Sequence, residues 1–552
     1  MKLLNHKNFW FACLTVTVLL IFFTFRPLNS PQYRVIVADG LGYYVYLPAK
    51  FIYNDENLKF EWFDEVFNKY YDSHVFEKPT QNFLVQYQNK KINLYYPGQS
   101  LLQMPFFFLA HVCAKILNIS ADGFSLPYQI SMGLSALFYT LLGLFFCQKL
   151  IFNMTGNNKL SIYVPVIIFF ATNLFTYSIF NGCYTHCYSF AFISLSLYFA
   201  ERFFISPANK LVNLTWLMLC SVTVVALRPM NCILLISLFY FYKSFSLKQI
   251  FNSDQWNGLV VFIFVVTLCI VGYNLNIMHT QTGSWIANTY TIGRFYFSQW
   301  NHVWDNFFGF QTGILWYTPI LLICMIPVAF TFRKPKILFL LAPILSSIIL
   351  YSLWWYWNIV GRTLVDFSGI LVLLLTLVFV SLEANKKLFR LVLILSLINV
   401  PFFQLKAYQL RNGILNSNYT YWRYYVKHFF TFRHVDVFPV NPKTVINEQV
   451  YFYDFENGKG EQISNKNKWG GNSAAILNSK IEFACSQTYT LPVFFNINGF
   501  RKIKASFWFF RDVGMNNVHL VFTYKRNDST LVYHPFYINE TSSAQKWDYK
   551  EF

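Results

Sequence analysis

Long apolar runs separated by short polar and basic stretches make up the chain as far as Leu405, and short alternating runs replace them afterwards. A membrane-spanning helix needs roughly 20 mostly apolar residues. Runs near 8–26, 127–148, 161–180, 185–204, 212–227, 231–243, 258–278, 311–332, 337–353, 365–382 and 388–405 meet or approach that length, and they predict a polytopic α-helical protein of about eleven spans. From about Val435 the pattern changes. Val450-Tyr-Phe-Tyr-Asp-Phe, Ile503-Lys-Ala-Ser-Phe-Trp-Phe-Phe, Val518-His-Leu-Val-Phe-Thr-Tyr and Leu531-Val-Tyr-His-Pro-Phe-Tyr alternate between apolar and polar positions, as half-buried antiparallel strands do. About six such strands predict a small β-sandwich of jelly-roll type over 435–552, following a membrane domain over 1–434. The last residues, Trp547-Asp-Tyr-Lys-Glu-Phe552, read as the middle of a strand, which points to a truncated or differently closed sandwich.

The placement of charge orients the spans. With the N-terminus in the cytoplasm, the inside loops receive Lys149 and Lys159, Arg202 and Lys210, Lys243 and Lys248, Arg333-Lys334-Lys336, and Lys386, Lys387 and Arg390. The first run, Asn8 to Phe25, lacks a small-residue cleavage site and reads as a retained signal anchor. A further apolar stretch, Ser100 to Ile119, would reverse every later loop if it crossed. Interrupted by Pro105, His111 and Lys115, it is expected to lie in the interface or re-enter from one side, within a long outside loop over 27–126.

Composition agrees with a lipid environment: 55% of residues are hydrophobic and 12% charged, against about a quarter charged in a soluble chain. The net charge of +19 is scattered between apolar runs rather than gathered on one stretch, which argues for topology signals and against nucleic acid as a partner. Most of the ten cysteines sit inside apolar runs and none forms a CxxC pair, so neither a disulfide framework nor a zinc site is indicated.

This topology gathers Asp39, Tyr43, Tyr44, Tyr95, Tyr96, Tyr184, His186, Arg228, Trp285, Arg294, Trp357, Arg362 and Asp366 on the outer face. Arginine forks suit phosphate oxygens, and aromatic faces suit sugar rings. Asp39 is the candidate base, Arg228, Arg294 and Arg362 the candidate phosphate ligands, and Tyr43, Tyr44, Tyr96, Tyr184, His186, Trp285, Trp357 and Asp366 the candidate substrate contacts. Plainer readings stand beside these. Asp39 also suits a helix cap or turn, Arg228 a snorkelling cation, His186 a packed histidine, and Trp354 to Trp357 an interfacial belt. Arg362 and Asp366, four residues apart, suit an ion pair along one helix face.

In order along the chain, Ala38-Asp39-Gly with Tyr43-Tyr44-Val-Tyr46-Leu-Pro48-Ala, Tyr95-Tyr96-Pro97-Gly98, Thr185-His186-Cys-Tyr188, Leu227-Arg228-Pro229 and Gly309-Phe-Gln-Thr-Gly313-Ile-Leu-Trp-Tyr317-Thr318-Pro319 resemble the GT-C fold membrane glycosyltransferases. The resemblance covers about 8–405 and lies nearest the branch of protein O-mannosyltransferases and aminoarabinose transferases. It implies that the acid of the first outside loop, Asp39, is the catalytic base or a metal ligand. Family members commonly carry paired acids at that place. Here the neighbours are Ala38, Gly40 and Leu41, so Asp39 is the only candidate ligand for a divalent metal in the motif. The expectation is an inverting glycosyltransferase of a bacterial inner membrane. It would move one sugar from a polyprenyl-phosphate donor to a glycan, lipid or protein hydroxyl on the extracytoplasmic face, in cell-envelope glycan biosynthesis. A transporter or flippase of lipid-linked sugar is the alternative, although neither internal repeats nor ionisable residues deep within spans are evident.

Overall fold

The computed structural model describes residues 6–25, 34–71, 83–88, 90–206, 208–242, 258–287, 289, 295–298, 300–310, 313–331, 335–354, 360–415 and 422–433, and the strands 463–464, 474–475, 506–510, 519–526, 529–537 and 547–551. The chain divides into two compact units, Met1–Arg433 and His434–Phe552.

In the first unit the apolar runs become helices. These include α1 (His6–Phe25), α2 (Ala38–Tyr44), α3 (Tyr46–Phe51), α4 (Phe63–Tyr70), α5 (Gly98–Ile116), α6 (Leu126–Thr155), α7 (Asn158–Ala171), α8 (Asn173–Phe180), α9 (His186–Phe204) and α10 (Lys210–Leu227). Among the described residues, four helices are long and apolar enough to cross a membrane: α6, α10, Gly258–Thr282 and Lys386–Arg411. The pair α7 and α8, bent by 70°, makes a fifth if it is one broken span. Such helices fit a membrane protein, but the count falls short of the eleven spans expected from hydropathy, and the shortfall has local causes.

Thr172 ends one helix and caps the next: its hydroxyl donates to the Ile168 carbonyl and accepts the Leu174 N–H, which splits the 161–180 run. Thr318 and Pro319 divide the 311–332 run into Ile314–Tyr317 and Ile320–Thr331. The 231–243 run winds as a 3-10 helix, Pro229–Phe241, begun by a proline. The 185–204 run forms one helix, α9, but His186, Ser189, Ser194, Ser196, Glu201 and Arg202 dilute its apolar character.

The expected long loop is a small folded layer with its own core, in which Tyr44, Tyr46, Phe60, Phe63, Phe107, Phe124 and Tyr128 pack together. It contains α2 to α5 and a hairpin of β1 (Leu84–Tyr87) paired with β2 (Lys90–Asn93). Two acids tie it down. Asp55 accepts the N–H groups of Lys59 and Phe60 and the Trp62 indole, while Asp122 accepts Lys69, the Tyr70 hydroxyl and two N–H groups ahead of α6. The interrupted stretch around Ser100 to Ile119 is helix α5, which runs against the first half of α6 through Tyr139 to the Leu102 carbonyl and Ser131 to the Phe106 carbonyl. Phe107, Ala110 and Ala114 are buried on its inner side and Leu109, Val112 and Ile116 are exposed, which makes it one-sided, as an interfacial helix requires.

At the other end of the unit, Lys406 is fully buried in the Lys386–Arg411 helix. Its ammonium donates to Gln409 Oε1 (3.1 Å) and to the Phe429 carbonyl (2.9 Å), and it lies 4.3 Å from the Phe429 ring centre and 4.4 Å from that of Tyr425. Gln409 in turn donates to the carbonyls of His428 and Thr431. Lys406→Ala strips two buried acceptors of their donor and is expected to cost about 1–3 kcal/mol. A lower melting temperature in detergent checks it, and an unchanged one would refute the clasp.

In the second unit the described residues pair as antiparallel strands: Ser506–Phe510 with Trp547–Glu551, His519–Arg526 with Ser529–Tyr537, and Ile463–Ser464 with Ala474–Ala475. Strand formation at three of the alternating segments and at the C-terminal Trp547 run follows their period of two. Each sheet has two strands, so among the described residues no jelly-roll-type sandwich forms. The Val450 run lies outside the described residues.

Candidate functional site

Asp39 sits in the first turn of α2 directly after Ala38, whose φ of 48° is left-handed for a residue with a Cβ. Two glycines let this turn lie flat. A Cβ on Gly40 would come within 2.7 Å of Cys183, whose thiol donates to the Gly40 carbonyl, and one on Gly42 would run into the Tyr95 ring. Gly42→Ala is therefore expected to cost about 1–3 kcal/mol by overpacking, read as a lower melting temperature; an unaffected protein would show that the ring yields freely.

The Asp39 carboxylate is partly exposed and held at both oxygens. The Tyr95 hydroxyl donates to Oδ1 (2.8 Å) and Arg362 Nη1 donates to Oδ2 (3.0 Å). Arg362 comes from a short helix, Val360–Thr363, fixed by Asn173 of α8, whose amide donates to the Gly361 carbonyl (2.5 Å). Burial is the largest single influence and disfavours the Arg362 cation, but Asp39 together with Tyr177 and Tyr184 outweighs it, and the guanidinium titrates above its usual range. Burial, with the Asp39 charge adding to it, pushes the nearby Tyr184 hydroxyl well up.

A second charged group forms around Asp366, whose side chain is 1% exposed. Arg228 Nη1 donates to Oδ2 (3.1 Å), and His186 Nδ1 lies 3.1 Å from Oδ1 and 3.3 Å from Arg228 Nη1. A carboxylate only accepts and a guanidinium only donates, so Nδ1 serves one of them. The shorter contact to a charged acceptor assigns the proton to Nδ1, leaving the Nε2 lone pair directed away from Asp366. Arg228 ends α10 with extended backbone (φ −153°), as a residue before proline does, and its guanidinium lies 5.5 Å from the ring centre of Tyr351.

Arg362 and Asp366 do not pair with each other, contrary to the spacing argument. The chain between them makes i to i+3 hydrogen bonds, Val365 to Arg362 and Asp366 to Thr363, rather than α-helical ones. At three residues per turn, positions four apart diverge by roughly 120°, so one side chain turns to Asp39 and the other to Arg228 and His186.

The remaining expectations divide. Tyr184 stacks at 6.4 Å on His186, and Tyr43 packs at 4.8 Å on Tyr95. Tyr44 is fully buried, its ring against Phe107 and Phe124 and its hydroxyl on the Gly123 carbonyl, so it is a core residue rather than a substrate contact. Tyr96 is half-buried with its hydroxyl engaged by Thr289, while its neighbour Tyr95 reaches Asp39. Trp285 is exposed and stacks on His279 at 4.3 Å. Arg294 and Trp357 lie outside the described residues. Tyr95, gathered on the outer face by the sequence but given no role there, and Tyr351, which residue type did not single out, join the site.

A resident divalent metal does not fit Asp39. Both its oxygens already accept a donor, and among the described residues no three His, Cys, Asp or Glu side chains group as a metal set. Compared with known proteins, the chain matches no family model, no curated protein and no solved structure.

Proposed function

We propose that the chain is an inverting glycosyltransferase of a bacterial inner membrane, taking one sugar from a polyprenyl-phosphate donor and adding it to a glycan, lipid or protein hydroxyl on the extracytoplasmic face. The observation that supports this best is a partly exposed carboxylate, Asp39, braced by Tyr95 and Arg362, with a second arginine, Arg228, paired with Asp366 four residues beyond Arg362.

In a single displacement the acceptor oxygen bonds to the anomeric carbon as the bond from that carbon to the phosphate oxygen breaks. The acceptor proton passes to Asp39, and the bond's electron pair leaves on the phosphate. No enzyme nucleophile is needed, which gives inversion. Arg362 holds the base in place. Arg228 suits the phosphate, because it lies against the ring of Tyr351, whose hydroxyl is buried with no hydrogen-bond partner among the described residues. An orphaned buried hydroxyl costs roughly 1–3 kcal/mol, which a phosphate oxygen would recover.

Membranes carrying the protein, supplied with radiolabelled polyprenyl-phosphate sugars and a mixed glycan and lipid extract, are expected to transfer label to acceptor. Movement of donor across the bilayer without transfer would overturn the reading in favour of a transporter.

A further inference from the structure

We infer that Gln281, at the end of the Gly258–Thr282 helix, positions Asp39 through a buried relay of Asn93, Tyr46 and Tyr95. The inference rests on the reading of Asp39 as the base. Its material is a set of polar side chains that the reaction itself does not use.

Gln281 bridges two partners far away in sequence: its Oε1 accepts the Asn93 N–H (2.7 Å) and its Nε2 donates to the Tyr46 hydroxyl (3.1 Å). Those two grip the backbone of Tyr95 from both sides. Asn93 Oδ1 accepts the Tyr95 N–H (2.9 Å), and the Tyr46 hydroxyl donates to the Tyr95 carbonyl (2.5 Å). Asn93 Nδ2 also donates to the Gly42 carbonyl (2.7 Å), which holds α2 against the ring of Tyr95. From this clamped position the Tyr95 hydroxyl reaches Asp39 Oδ1.

Asn93, Tyr46, Gln281 and Tyr95 are all buried, and burying polar groups is tolerated only when they are paired. A core needing only volume would be apolar here. Satisfied polar networks instead fix one arrangement, and here that arrangement ends on a carboxylate that solvent can reach. Tyr95 and Gln281 are positioning residues: neither is assigned a contact with substrate. The position of the Gly258–Thr282 helix end and the aim of the base are thereby coupled.

The test uses the full-length protein in membranes, with Tyr95→Phe, Tyr46→Phe, Gln281→Met and the double variant Tyr95→Phe/Gln281→Met. Tyr53→Phe, which loses a hydroxyl bonded to the Asp122 carbonyl, is the control. The first readout is modification of Asp39 by dicyclohexylcarbodiimide, followed peptide by peptide by mass spectrometry. Removing the donor on Oδ1 in Tyr95→Phe, or loosening it in Tyr46→Phe and Gln281→Met, is expected to raise it several-fold in each single variant and no further in the double variant. The second is kinetic: kcat is expected to fall about five- to tenfold with donor KM unchanged, the size of one lost hydrogen bond.

Unchanged Asp39 modification in Tyr95→Phe overturns the proposal. So does a rise in Tyr95→Phe with none in Tyr46→Phe or Gln281→Met. Tyr46→Phe loses a single hydroxyl and keeps the test decisive if Gln281→Met fails to fold. If wild-type membranes transfer no sugar while the modification pattern appears, the glycosyltransferase reading fails and the relay stands.

Discussion

Asp39→Asn is expected to lower sugar transfer by about 10²–10⁴-fold, the range a general base contributes. The substitution preserves shape and leaves a carbonyl oxygen and an amide where two carboxylate oxygens stood. The carbonyl keeps a place for one of the two donors, Tyr95 or Arg362, so the turn of α2 has reason to remain folded. On the proposed reading, what disappears is the group that takes the acceptor proton. Donor binding should change little, because the phosphate is assigned to Arg228 and Tyr351 rather than to the base. Transfer rate and donor affinity measured on the same membranes check this. Transfer at the wild-type rate would make Asp39 a structural partner of Arg362 and send the search for a base to His186, whose Nε2 lone pair is directed away from Asp366.

The second large effect is on stability. Asp366→Ala should destabilise the first unit by about 3–5 kcal/mol, as removal of one partner of a buried ion pair does. The Asp366 side chain is almost fully enclosed, and it is the shared acceptor for Arg228 and for the His186 ring. Without it a guanidinium and an imidazole N–H face each other with no anion between them. Asp366→Asn should recover part of the loss by keeping an acceptor in place. The measurement is thermal unfolding in detergent, with intact expression as the first sign. Equal melting temperatures for wild type and Asp366→Ala would mean that water reaches the cluster freely.

The residue types of the site were legible in the sequence, but its pairings were not. Hydropathy and the pattern of basic residues brought Asp39, His186, Arg228, Arg362 and Asp366 to one face, and three hydrogen bonds or ion pairs join them in two groups. Which acid meets which cation depended on a 3-10 turn after Arg362, and no helical spacing rule anticipates it. Adjacent tyrosines were equally opaque. Tyr43 and Tyr44 lie about 100° apart on α2, so one packs on Tyr95 and the other enters the core. Tyr95 and Tyr96 diverge for the same kind of reason, one toward Asp39 and one toward Thr289. The helices were legible as apolar runs, whereas their breaks at Thr172, Thr318 and Pro319 turn on single hydrogen bonds and one missing N–H, which a hydropathy window averages away.

The turn holding Arg362 and Asp366 also sets when the two charged groups can form. Arg362 is made 323 residues after Asp39, and Asp366 follows Arg228 and His186 by 138 and 180. At about 5–20 residues per second, the ribosome delivers the partner of Asp39 roughly 15–60 s after the acid itself. Through that interval the carboxylate has no arginine and the His186 ring no acid to orient it. Neither charged group can close until the same short stretch of chain arrives, so the two form together, and a chain cut short before Arg362 never assembles either.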